Sequence, residues 1–146
     1  MRLLIQRVLS ASVVVDKKIV GSIKNGALIF FGTSVNDDDS KVKILAEKFV
    51  NLRIFSDEND KMNLSIKDIS GEVLIVSQFT LYADCSKGRR PSFINAGKPE
   101  IAKKQYEEFV KLVKSKVSTK VQTGIFGAMM EVHLINNGPA TFLLEN

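Results

Sequence analysis

The alternation in the first eight residues constrains this chain most. Leu3, Ile5 and Arg7 fall on one face of an extended segment, and Arg2, Leu4, Gln6 and Val8 on the other, because successive side chains of a strand point to opposite sides. Both faces carry apolar residues, so the segment is expected inside a sheet, with a neighbour on either side. Residues 11–15 and 19–23, joined by the polar Asp16-Lys17-Lys18, read as a β-hairpin. Asn25-Gly26 is a strong turn signal before residues 27–32, so three or four antiparallel strands are expected in succession.

Helical spacing begins after that. The run Asn36-Asp37-Asp38-Asp39-Ser40 offers N-cap residues and negative charge where a helix would start. Val42, Leu45, Ala46, Phe49 and Val50 then recur on one face. Arg53-Ile54-Phe55 reads as a short strand, residues 56–61 as an exposed turn, and residues 72–76 as a buried strand that delivers Ser77-Gln78-Phe79-Thr80-Leu81. Residues 84–97 form a loop carrying Lys87, Arg89 and Arg90. Pro99 suits the first turn of a second helix, whose stripe is Ile101, Ala102, Gln105, Tyr106, Phe109, Leu112, Val113 and Val117. Strands at 120–123, 130–135 and 141–144 complete the chain. The expectation is an α+β fold: a largely antiparallel, barrel-like sheet with two packed helices, in one domain spanning residues 1–146.

Composition narrows the chemistry. At 146 residues, 45% hydrophobic and 25% charged, this is an ordinary globular chain rather than a disordered or fibrous one. The opening apolar run is too short for a secretory h-region, and no stretch approaches a membrane span, so a cytoplasmic protein is expected, with no membrane partner. Cys85 is the only cysteine and His133 the only histidine. No disulfide can form within the chain. A zinc site drawing on three or four His and Cys ligands is excluded, and only His133 could serve a Ser-His-Asp type of triad. His133 alternates with Val132 and Leu134 and reads as a surface strand residue; Cys85 reads as an incidental loop thiol.

The formal charge is +5. Residues 98–120 hold seven lysines against three glutamates, which suits either a polyanion such as RNA or a solvated helix. Three further segments are candidates for chemistry. Ser77, Gln78 and Thr80 cluster where a buried strand ends, and backbone amides near Phe79 and Thr80 would be available to a ligand; a hydroxyl-capped strand end is the plainer reading. Asn136-Asn137-Gly138-Pro139 reads as a turn, in which the bond before Pro139 is able to be cis and Gly138 would let backbone approach a ligand. Gly124-Ile125-Phe126-Gly127-Ala128-Met129-Met130 suits either a flat pocket for a base or core packing.

Taken together, Ser77-Gln78-Phe79-Thr80-Leu81 and Asn136-Asn137-Gly138-Pro139-Ala140-Thr141 resemble the D-aminoacyl-tRNA deacylase family. So do Ile5-Gln6-Arg7-Val8, Asn51-Leu52-Arg53-Ile54-Phe55, Lys61-Met62-Asn63-Leu64 and Arg90-Pro91-Ser92-Phe93, all in the family's order. The resemblance implies a carboxylic ester hydrolase, without metal or other cofactor, that releases a D-amino acid, or wrongly attached glycine, from the 3′ end of tRNA and rejects the L-aminoacyl ester. It implies a homodimer with Ser77, Gln78, Phe79 and Thr80 lining the pocket of one subunit and a cis Gly138-Pro139 unit reaching in from the other to test chirality. Arg7 would steady that unit, and Phe126 and Met130 would lie near the terminal adenine. Either Thr80 acts as nucleophile or the 2′-hydroxyl of the tRNA activates water; the absence of a histidine or carboxylate beside Thr80 in sequence favours the second. The chain departs from the family pattern at Asn137, usually Asp, at Ala140, usually Val, and at Met129, often Asp. The alternative is a non-catalytic tRNA-binding or editing-accessory module.

Overall fold

A computed structural model describes residues 1–146. The opening alternation produces one strand rather than two: β1 runs over Arg2–Val15. It reverses at Asp16 and Lys17, both at positive φ (48° and 63°), as a two-residue hairpin matched to strand twist requires, into β2 (Lys18–Ile23).

Asn25-Gly26 does not reverse the chain. Val8 opposes Gly26 and Ala11 opposes Ile23 in one unbroken register, so β2 and β3 (Gly26–Gly32) run on in the same direction along β1. The glycine is there for a different reason: a Cβ at position 26 would stand 1.8 Å from the Glu72 carbonyl oxygen. The neighbouring strand presses against that backbone, and only Gly leaves room.

β3 then pairs in parallel with β6 (Glu72–Ser77), and β6 in parallel with β7 (Val121–Thr123). Parallel neighbours need long crossovers. The two helices supply them: α1 (Ser40–Val50) lies between β3 and β6, and α2 (Pro99–Lys116) between β6 and β7. A small hairpin of β4 (Phe55–Ser56) and β5 (Met62–Leu64) is inserted in the first crossover.

The last strand, β8 (Glu131–Glu145), pairs antiparallel with β1 along nearly its whole length. The sheet order is β2-β1-β3-β6-β7, and β2 curls round until Gly21 approaches the Thr123 carbonyl oxygen. The fold is thus α+β, with a mixed, nearly closed sheet and two packed helices. Its parallel half is the part that alternation along single strands does not encode.

The expected stripe of α1 is the buried one, all five residues. The stripe of α2 is rotated: Val110 is buried with Gln105, Tyr106, Phe109 and Val113, while Ile101 is half exposed. The acidic run does not cap α1 through Asp39. Asp38 accepts the Ser40 amide at 2.8 Å. Asp37 turns inward, accepting the Met1 ammonium (2.7 Å), the Ser34 amide (2.7 Å) and Lys41 Nζ (2.9 Å). Burial by itself would raise the Asp37 pKa, but these donors outweigh it and hold the carboxyl below its usual value of 3.8. No helix is long and apolar enough to cross a membrane.

Candidate active site

β3, β6 and β7 are parallel, so their C-terminal ends emerge on one side of the sheet, where ligands of parallel sheets commonly bind. β6 is deeply set beside β3, with Val73, Leu74, Ile75 and Val76 all buried. It ends at Ser77, level with Phe31 of β3. The Gln78 amide makes the last sheet bond, to the Phe31 carbonyl at 2.7 Å.

From there the chain winds into a 3-10 turn, Phe79–Tyr82. Its bonds run from the Leu81 amide to the Gln78 carbonyl and from the Ala83 amide to the Thr80 carbonyl. The amides of Phe79 and Thr80, at the start of the turn, have no partner within it. Arg2 fixes the turn to the sheet, donating from Nη1 to the Leu81 carbonyl at 2.6 Å with its guanidinium over the Tyr82 ring. Burial is the main cause that pushes the Tyr82 phenol up to about 12.

Ser77 and Gln78 are half-buried, and the two side chains that follow are open to solvent. Phe79 is 56% exposed and Thr80 is exposed. The hydroxyl of Thr80 has one hydrogen-bond partner, the side-chain amide of Gln78, which donates to it. An amide N–H holds the hydroxyl in place but cannot accept its proton.

Gly124 follows β7 and donates to the Ile75 carbonyl at 3.1 Å, so the 124–130 segment begins beside the end of β6. Phe126 is partly buried against Tyr106 (ring centroids 5.8 Å apart). The Tyr106 hydroxyl in turn donates to the Ile75 carbonyl at 2.8 Å. Burial pushes that phenol well above its usual range. Met130 packs on the smaller apolar cluster, with its sulfur over Gly124. Met129 is 93% exposed.

Gly138-Pro139 is not a turn. It lies within β8, at the place where the β1–β8 register breaks between Gln6 and Val8, and its peptide bond is cis. Asn136 braces the irregularity, its Nδ2 donating to the Arg7 carbonyl (3.0 Å) and the Ala140 carbonyl (3.2 Å). Arg7 is 7% exposed and donates from Nε to the Asn137 carbonyl (3.0 Å) and from Nη1 to the Ile54 carbonyl (2.9 Å). No carboxylate lies within salt-bridge range of it.

Within one chain the two motifs do not meet. β8 and β6 flank β1 and β3, and Arg7, beside Gly138-Pro139, is level with Ala27 and Val73 rather than Ser77. That is roughly 14 Å across the strands and roughly 13 Å along them. Two clefts, of about 660 and 750 Å3, lie against α1 and include neither motif.

β8 has a free outer edge over its full 15 residues. Exposed Ile135 and Leu143 lie on this strand, as does exposed His133, 3.8 Å from Glu131. Cys85 is exposed.

Sequence pattern alone does not reveal the residues whose role depends on the parallel sheet: Arg2, Tyr106, and Phe93, whose ring meets that of Phe79 at 5.0 Å. Asn136 was inside a recognised motif, but only its bonds to Arg7 and Ala140 reveal its work.

The family model described as D-Tyr-tRNA(Tyr) deacylase matches residues 4–145. The chain belongs to the D-aminoacyl-tRNA deacylase family. It is 58% identical over its whole length to a D-aminoacyl-tRNA deacylase of Thermosipho africanus, covering 97% of that protein. It is 53% identical to one of Desulfatibacillum aliphaticivorans, covering 99%. Among solved structures, one described as a c-Myc DNA unwinding element binding protein superposes at TM-score 0.94 with 36% identity, over 100% of this chain and 99% of that one. A probable eukaryotic D-amino acid tRNA deacylase shares the fold at TM-score 0.80 and 17% identity, over 98% and 97% of the two chains.

Proposed function

We propose that the chain hydrolyses the ester of D-aminoacyl-tRNA in the cytoplasm, releasing tRNA and a D-amino acid, and clears wrongly attached glycine by the same route. The observation that carries this reading, beyond family membership, is the pair of unpartnered amides at Phe79 and Thr80 on an open strand end. As water attacks the ester, charge grows on its carbonyl oxygen, and fixed N–H groups aimed at that charge lower the barrier. Thr80 is bonded only to an amide, so it lacks the base that a nucleophilic hydroxyl needs. The 2′-hydroxyl of the terminal adenosine is then the group that activates water, and Phe126 and Met130 flank the adenine.

The working unit in this reading is a homodimer. Gly138-Pro139 stands far from the 77–80 segment of its own chain, and the free β8 edge offers the surface through which a second copy would bring it near. Backbone carbonyls there hold the α-ammonium and crowd an L side chain, so selectivity comes from rejection. Glycine, having no side chain, passes the same test. Arg7 holds the carbonyl just before this unit.

Purified protein incubated with D-tyrosyl-tRNA and L-tyrosyl-tRNA tests the proposal directly. Rapid loss of the D ester alone is expected, and a D substrate ending in 2′-deoxyadenosine should survive. Equal cleavage of both enantiomers would refute chiral selection. Binding of tRNA with the D ester intact over hours would favour the non-catalytic module, a reading to which the nucleic-acid-binding description of one structural neighbour lends some weight.

A further inference from the structure

Four of the seven lysines that the sequence concentrates in residues 98–120 are engaged by carboxylates, which leaves Lys98, Lys114 and Lys120 spread along that segment without a carboxylate in salt-bridge range. On and beside α2, Lys103, Lys104, Lys111 and Lys116 lie 3.9, 2.6, 3.6 and 2.5 Å from the carboxylates of Glu107, Asp39, Glu108 and Glu47. Lys87, Arg89 and Arg90, by contrast, occupy three of four consecutive positions, are all exposed, and have no carboxylate within salt-bridge range. Gly88, at φ 70°, turns the chain between them.

The loop that carries them is built rather than loose. Asp84 and Ser92 exchange backbone bonds of 2.8 and 2.9 Å at its base, and the Asp84 carboxylate is occupied by the Ser86 amide at 2.9 Å. Immediately beyond this base stands Phe93, 41% exposed, edge-on to the exposed Phe79 of the candidate site. Arg90 is three residues from Phe93, a reach of at most ~11 Å. A basic tip and an exposed aromatic pair, one beside the other, are what an unpaired nucleic-acid strand requires: phosphates meet cations while free bases stack on rings. A duplex keeps its bases stacked inside and has no use for the rings.

We propose that residues 84–93 form a docking site for single-stranded RNA leading to the candidate active site, with Lys87, Arg89 and Arg90 on phosphates and the Phe79–Phe93 pair on a base. This rests on the deacylase reading only for the identity of the RNA, the 3′ end of a charged tRNA.

The test is binding of the full chain to a fluorescein-labelled single-stranded RNA ending in CCA, measured by anisotropy across a salt series, with a blunt RNA duplex for comparison. Combined Lys87→Ala, Arg89→Ala and Arg90→Ala should weaken single-strand binding at least tenfold. It should also flatten the plot of log affinity against log salt by about 2, as expected for three lost phosphate contacts on a single strand. Combined Lys103→Ala, Lys104→Ala and Lys111→Ala removes the same charge and should change binding less than twofold. Phe93→Ala should weaken binding at every salt concentration and leave the slope alone. Equal weakening by the two triple variants, or duplex binding as tight as single-strand binding, would overturn the proposal. Failure of the wild type to cleave D-tyrosyl-tRNA would refute the deacylase reading, while the binding result would still decide the loop.

Discussion

The 77–80 segment and the 136–140 segment are both polar and both lie on the sheet, yet they are held in opposite ways. The first leaves β6 through one sheet bond, winds into a short turn, and ends in exposed side chains and free amides. The second is laced into β8 by Arg7 and Asn136, with partly buried bonds on both sides of the glycine. In the proposed reaction, groups that meet a varying substrate can be open, whereas a backbone that is to judge shape has to be rigid, since small misplacements cost large factors in rate.

Breaking the rigid side should do the most damage. Arg7→Met leaves the Asn137 and Ile54 carbonyls without their donor, and we expect a loss of about 3 kcal/mol in denaturant unfolding with deacylation down about a hundredfold. Arg7→Lys should recover little of either, because an ammonium does not reproduce the guanidinium fork. If Arg7→Met melts like the wild type, the bracing role assigned to Arg7 is wrong.

Gly138→Ala separates rigidity from shape. Its Cβ would meet only Asn136 Oδ1, at 3.2 Å, so the fold should survive with a change under about 1 kcal/mol. In the proposed reaction the added methyl would stand where the α-substituents of the substrate are to be judged. Cleavage of D-tyrosyl-tRNA should drop about a hundredfold; unchanged kinetics would remove Gly138 from the site.

The open side has a second anchor besides Arg2, and it is acid-labile. Asp37 accepts the Ser34 amide just past β3, beside the strand that carries the 77–80 segment. Its carboxyl has a folded pKa below its usual value, so its contribution is fully present above about pH 4. That contribution is lost as pH falls through the depressed folded value. Hydrogen exchange followed downward in pH should show the amides after β3 losing protection before those of β8 around Gly138-Pro139, which are braced by bonds to backbone carbonyls and not by a carboxylate. Asp37→Asn should destabilise by about 2 kcal/mol at neutral pH and abolish the difference.

Thr80→Ala should have the smallest effect. An exposed hydroxyl with one amide partner contributes no more than about 0.5 kcal/mol to stability, and deacylation should stay within about fivefold of wild type if the substrate supplies its own catalytic hydroxyl. A thousandfold loss would restore Thr80 as nucleophile.

The sequence made much of this legible, and the failures have physical causes. The α1 stripe, the hairpin at Asp16-Lys17 and the buried strand before Ser77 follow from local periodicity and turn chemistry. Asn25-Gly26 misleads because the glycine answers to Glu72, a contact that exists only after β3 and β6 are paired. Residues 136–140 look like a turn because Gly-Pro normally breaks a strand; β1 on one side, with Asn136 and Arg7 as braces, keeps β8 going. Ile101 and Val110 change places on α2 because tertiary packing rotates the helix by part of a turn. Both motifs were visible in sequence, but their separation within one chain was not, since it depends on strand order.

β1 also has a bearing on how the molecule comes apart. Its first half places Leu3 and Ile5 in the larger apolar cluster, and its second half places Val8, Ala11 and Val13 in the smaller one. A single strand threaded through both leaves neither cluster an independent way to melt. Calorimetry should therefore trace one cooperative transition, and a loosened contact near Val13 would be felt as far away as Leu3.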